Sequence, residues 1–119
     1  MPENTVLGAT IETNRDEGCE QVSKPKPSER IRVMEGLEWP RKVVVIEPIR
    51  DFDLEDFVNA ITRIRPEAVY VGYDNYGNGL LEPPLTKARK LVDALKQYTR
   101  VHVKLLRPAW YETLGWRGR

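Results

Sequence analysis

Four short runs rich in β-branched residues, each followed by a stretch with helical spacing, constrain this chain most. Residues 5–11 (TVLGATI), 42–47 (KVVVIE), 68–73 (AVYVGY) and 101–106 (VHVKLL) read as strands. Ser28 is the expected N-cap of a first helix, with Ile31, Met34 and Leu37 on one face and Pro40 ending it. Asp53 is the expected cap of a second, which carries Leu54, Phe57, Val58, Ile61 and Ile64 and stops at Pro66. Pro83 and Pro84 introduce a third, marked by Leu85, Ala88, Leu91, Val92, Leu95 and Tyr98. The order β-α-β-α-β-α-β predicts right-handed crossovers and a parallel sheet.

Length then limits the architecture. A closed eight-stranded parallel barrel takes about 250 residues, and this chain has 119. The expectation is a single α/β domain over residues 1–119, the parallel four-stranded (βα) half of a TIM-type barrel. Its open edges invite completion by self-association or by a partner. The segment 108–119 is expected to carry a short helical turn and then fray.

Alternation along each strand sorts the side chains onto two faces. Gly8, Thr10 and Glu12 share one face with Val43, Val45 and Glu47, with Tyr70, Gly72 and Asp74, and with His102 and Lys104. The opposite face is almost wholly apolar and should meet the helices. Glu12, Glu47, Asp74 and Lys104 therefore gather at the carboxyl ends of the strands, where parallel α/β sheets bind ligands. Lys104 is either a pocket residue or the ion-pair partner that neutralises these acids. Asp51 and Asp53 fit the start of the second helix better than a site, and a lone His102 fits a structural role.

Several chemistries are excluded or weakened. Nineteen Lys and Arg stand against eighteen Asp and Glu, so no global charge draws the chain to nucleic acid or an anionic membrane. No apolar run reaches a membrane span, and the start lacks a signal-peptide layout, so a soluble cytoplasmic protein is the expectation. The single Cys19 permits no internal disulfide and no iron–sulfur cluster held by this chain alone; it reads as a loop thiol. Glu12, Glu47 and Asp74 have the oxygen donors for a divalent cation, but no spacing motif selects one, and no metal is assigned. The segment VGYDNYGNG is not a dinucleotide fingerprint. The tail interleaves Arg100, Lys104, Arg107, Arg117 and Arg119 with Trp110, Tyr111 and Trp116. Single-stranded nucleic acid suits such a pattern, and so does a cap over the barrel end or a subunit interface. Tyr73 and Tyr76 serve equally as a stacking platform or as core cover. High charge content and nine prolines between elements are compatible with a thermophilic source.

The segments LGATIETNRD, SERIRVMEGL, VVVIEPIRDFDLEDFVNAI, RPEAVYVGYDNYGNGLLEPPLTKARKLVDAL and VHVKLLRPAW together resemble the C-terminal half of radical-S-adenosylmethionine barrel proteins of archaea and phages. The resemblance runs from about Leu7 to Trp110. It implies a (β/α) barrel in which S-adenosylmethionine is the cofactor and a Cys-x3-Cys-x2-Cys loop holds a [4Fe–4S] cluster. Carried over by position, Thr10, Glu12 and Asn14 would lie near the ribose or methionine part. Glu47, Asp74, Asn75 and Lys104 would line the pocket further round. The cluster-bearing half is missing here. The resemblance therefore implies a module that is inactive alone and works as a homodimer or with a cysteine-bearing N-terminal-half partner. An assembly or single-stranded nucleic-acid-binding protein on the same half barrel is the rival expectation.

Overall fold

A computed structural model describes residues 4–16 and 25–114. Four strands and three α-helices alternate: β1 (Leu7–Thr10), α1 (Pro27–Gly36), β2 (Lys42–Ile46), α2 (Leu54–Ile64), β3 (Ala68–Val71), α3 (Leu85–Leu95) and β4 (Arg100–Val103). A 3-10 turn, Glu112–Leu114, follows. The strands form one all-parallel sheet in the order β1-β2-β3-β4. A sheet wound in one direction, with every crossover of the same hand, stacks its helices on a single face.

The core obeys that geometry. Val44, Ile46, Val69 and Val71 are sealed beneath Ile31 and Met34 of α1, Phe57, Ala60, Ile61 and Ile64 of α2, and Ala88, Leu91 and Leu95 of α3. The alternate positions Val43, Val45 and Tyr70 remain only half-buried on the other face. Lys42 is the polar exception in the helix layer. Its ammonium donates to the Met34 carbonyl at 2.7 Å, in the last turn of α1, where a cation complements the helix dipole.

The strand register aligns the open face in rows. Gly8, Val43, Ala68 and Arg100 pair across the four strands, and Thr10, Val45, Tyr70 and His102 form the next row. Two residues further along come Glu12, Glu47, Gly72 and Lys104, where the ladder continues as Gly72 N–H to Ile46 O and Lys104 N–H to Val71 O.

Helix starts and strand ends depart from the sequence expectations. α1 begins at Pro27 with Lys26 at the cap position; Ser28 lies inside and donates its N–H and Oγ to Asp16 at 3.0 and 2.6 Å. Proline presets the first helical φ, and a carboxylate arriving from the preceding loop serves the free donors. Asp53 does occupy the cap position of α2, but its carboxylate turns to Arg15. At α3 the Leu85 N–H goes to Glu112, 27 residues ahead. Leu37 lies at the C-cap of α1 rather than on its buried face, and Tyr98 lies beyond α3 and is exposed. β4 starts at Arg100 and ends at Val103, short of the expected residue 106, although Leu105 O still accepts the Tyr73 N–H. Among the described residues no helix is long and apolar enough to cross a membrane.

Candidate functional site

The carboxyl rim of the sheet holds the predicted site residues, and they divide into two groups. Glu47 at the end of β2 and Lys104 at the end of β4 flank Gly72 at the end of β3. Lys104 Nζ lies 3.6 Å from Glu47 Oε1, too far for a hydrogen bond and close enough for an ion pair. A Cβ on Gly72 would sit 3.1 Å from Glu47 Oε2 and 3.3 Å from Lys104 Cβ. The absent side chain is therefore what lets the two charges stand across a third strand. Lys104 keeps 59% of its side-chain surface in solvent. Next to this cradle, one row back, Tyr70 and His102 stack with ring centroids 4.7 Å apart.

The other acids are engaged elsewhere. Asp74 is 5% exposed, screened by its own loop at the protein surface. Its carboxylate accepts the N–H groups of Tyr76 and Asn78 at 3.2 and 2.7 Å and the Asn78 side-chain amide at 3.0 Å. These donors, the Asn78 N–H first, hold its pKa below the usual carboxylate value. Asn75 is exposed in the same loop. Glu12 lies at the β1 end with Arg30 Nη2 at 2.6 Å, and Arg30 also donates to the Thr10 carbonyl. Asn14 accepts the Asp53 N–H through Oδ1 at 2.9 Å. The structure thus brings Glu47 and Lys104 together and places Glu12 at the edge of the same rim. It turns Asp74 and Asn14 to loop and helix-start contacts. Among the described residues no three His, Cys, Asp or Glu side chains are grouped to hold a metal.

Two networks escaped the sequence reading. In the first, Arg15 bridges Asp51 Oδ2 at 3.1 Å and Asp53 Oδ1 at 2.9 Å, while Lys87 takes Asp51 Oδ1 at 2.8 Å. Arg15 raises no sequence signal because its partners lie 36 and 38 residues away. Arg15, Asp51 and Asp53 line a cavity of about 390 Å³ together with Thr13, Arg50 and Leu81. The Arg15 hydrogen bond lowers the Asp53 pKa, and Asp53 in turn raises that of Arg15.

The second network centres on Glu82, which is 1% exposed. It accepts two hydrogen bonds from Arg107 at 2.9 and 2.8 Å and the Trp110 N–H at 3.0 Å. Arg107 also donates to the Asp74 carbonyl and lies 5.0 Å over the Tyr73 ring, and the Tyr73 hydroxyl donates to Pro83 O at 2.8 Å. Burial pushes the Tyr73 phenol well above its ordinary pKa. The ring is a fully buried core residue, whereas Tyr76 is exposed. Trp110 directs its indole N–H to Leu80 O. Arg107 and Trp110 therefore fasten the 74–84 loop to the segment after β4. Cys19, Trp116, Arg117 and Arg119 lie outside the described residues.

No family model, curated protein or solved structure matches the chain.

Proposed function

We propose that this chain is half of a TIM-type barrel whose uncovered face binds the amino-acid end of an S-adenosylmethionine-type ligand, and that it contributes a pocket wall to a larger assembly. The observation that carries the reading is the Glu47–Gly72–Lys104 cradle. A zwitterionic amino-acid group needs one cation for its carboxylate and one anion for its ammonium, a few ångströms apart. Lys104 and Glu47 supply that pair, held apart at 3.6 Å across a glycine. Charge-assisted hydrogen bonds to such a ligand are worth about 1.5–3 kcal/mol each. The exposure of Lys104 leaves it free to turn onto a ligand, in contrast to Arg107.

The family resemblance supplies the ligand class. It does not extend to the cluster, because one cysteine cannot replace three. Radical chemistry is therefore assigned to no residue of this chain. Bound S-adenosylmethionine would supply a sulfonium centre and an adenosyl group; Glu47 and Lys104 would orient its amino-acid end.

Equilibrium dialysis against S-adenosylmethionine and against methionine tests the reading. Binding of both, with each of Glu47→Gln and Lys104→Gln weakening it about tenfold or more, is the expected result. Binding unaffected by either substitution, or none by the unaltered chain, would sink it.

A further inference from the structure

The two outer edges of the sheet differ in a complementary way. On β1 the N–H groups of Leu7 and Ile11 run inward to Arg41 O and Val45 O, so the main-chain groups of Gly8 and Thr10 turn outward. Alongside that edge lies a mostly apolar groove of about 330 Å³, walled by Leu7, Ala9, Val33, Met34 and Leu37, with Arg30 also in its lining. Val33 is 61% exposed there. On β4 the Lys104 N–H runs inward to Val71 O, so the main-chain groups of Val101 and Val103 turn outward. Among the described residues no α-helix follows β4 to cover it, and Val103 is 42% exposed. On the open face β4 carries the cations Arg100 and Lys104, whereas β1 carries Gly8, Thr10 and, at its end, Glu12.

We infer that the missing half of the barrel is a second copy of this chain. It docks head to tail, with β4 of each copy adding in parallel beside β1 of the other. The inference rests on the half-barrel reading above. Each edge offers two outward residues to the other. Val103 enters the groove beside α1; Glu12 there is already paired with Arg30 at 2.6 Å, so the joint rests on main-chain pairing and apolar contact. The Thr10 carbonyl already accepts from Arg30, and its second lone pair remains for the added strand.

The like-with-like alternatives are poorer. β4 against β4, antiparallel about His102, sets Arg100 opposite Lys104, and like charges in opposition destabilise a strand pair. β1 against β1 leaves both β4 edges open, so it does not close the sheet. The head-to-tail arrangement closes under a two-fold axis into eight strands and leaves neither edge exposed.

Light scattering at micromolar concentration tests the inference, with circular dichroism to verify folding. Val33→Asp and Val103→Asp each alter one edge at an exposed position. The expected results are twice the chain mass for the unaltered protein, the single chain mass for each variant, and recovery of the double mass when the two variants are mixed, since one joint is then intact. A single chain mass for the unaltered protein overturns the inference. So does a Val33→Asp protein that keeps the double mass, because β4 would then pair with itself, and so does failure of the folded variants to recover on mixing. A double mass without ligand binding would remove the ligand reading and leave the assembly standing. Ligand binding at the single mass would do the reverse.

Discussion

Two charged groupings sit on the same rim of the sheet and behave oppositely. Around Glu82 the acceptors are filled: its carboxylate takes a bidentate arginine and a main-chain N–H, and its carbonyl accepts the Tyr111 hydroxyl at 3.0 Å. Around Gly72 the charges face each other at 3.6 Å, with 59% of the Lys104 side chain in solvent. The first pays the desolvation of a carboxylate with a full set of partners, and its role is to fix the loop. The second leaves hydrogen-bonding capacity unspent. Proximity of acids and bases to a strand end does not by itself mark a site; the proposed site rests on unused capacity.

Breaking the closed network should give the largest effect. Arg107→Met leaves the Glu82 carboxylate buried without its cation, and the partial exposure of Arg107 puts the loss of folding stability at about 3 kcal/mol, toward the lower end for such pairs. Urea denaturation would measure it, and a loss below about 1 kcal/mol would place Glu82 among surface pairs instead.

Filling the open cradle comes next. Gly72→Val pushes methyl groups into Glu47 and Lys104, with about 2 kcal/mol of overpacking and loss of S-adenosylmethionine binding in dialysis. Binding retained at full strength would show that the ligand does not use this row.

Acid titration sharpens the comparison from the other side. The folded pKa of Asp74 lies below its unfolded value near 3.8, so its carboxylate stabilises the fold above that pH. That contribution is lost as pH falls through the folded pKa. Asp74→Ala should lower stability at pH 7 and flatten the decline below pH 3.8, read from urea midpoints across the acid range.

The smallest effect belongs to the open pair itself. Glu47→Gln and Lys104→Met should each change stability by less than about 1 kcal/mol, as exposed pairs do. A larger loss in denaturation would make the pair structural and weaken its claim on a ligand.

Much of the fold was legible in local chemistry. The valine and isoleucine runs, the helical spacing of Phe57, Ala60, Ile61 and Ile64, and the prolines between elements all act over a few residues, and each element appeared where those signals stood. Strand alternation likewise foretold that Glu47, Gly72 and Lys104 share a face. Helix capping was legible less often. Asp16, Asn14 and Glu112 reach helix starts from distant loops, and no local spacing announces a partner 12, 39 or 27 residues away.

The amino-acid order by itself determined the alternation of strands and helices, the apolar face and the row on which the rim residues stand, because those follow from backbone periodicity. Only the tertiary structure decided which rim charges are consumed and which stay available. That depends on the direction in which Arg15, Arg30 and Arg107 extend once the loops are packed. A guanidinium satisfies whichever carboxylate the fold brings within reach, and sequence distance carries no information about that encounter.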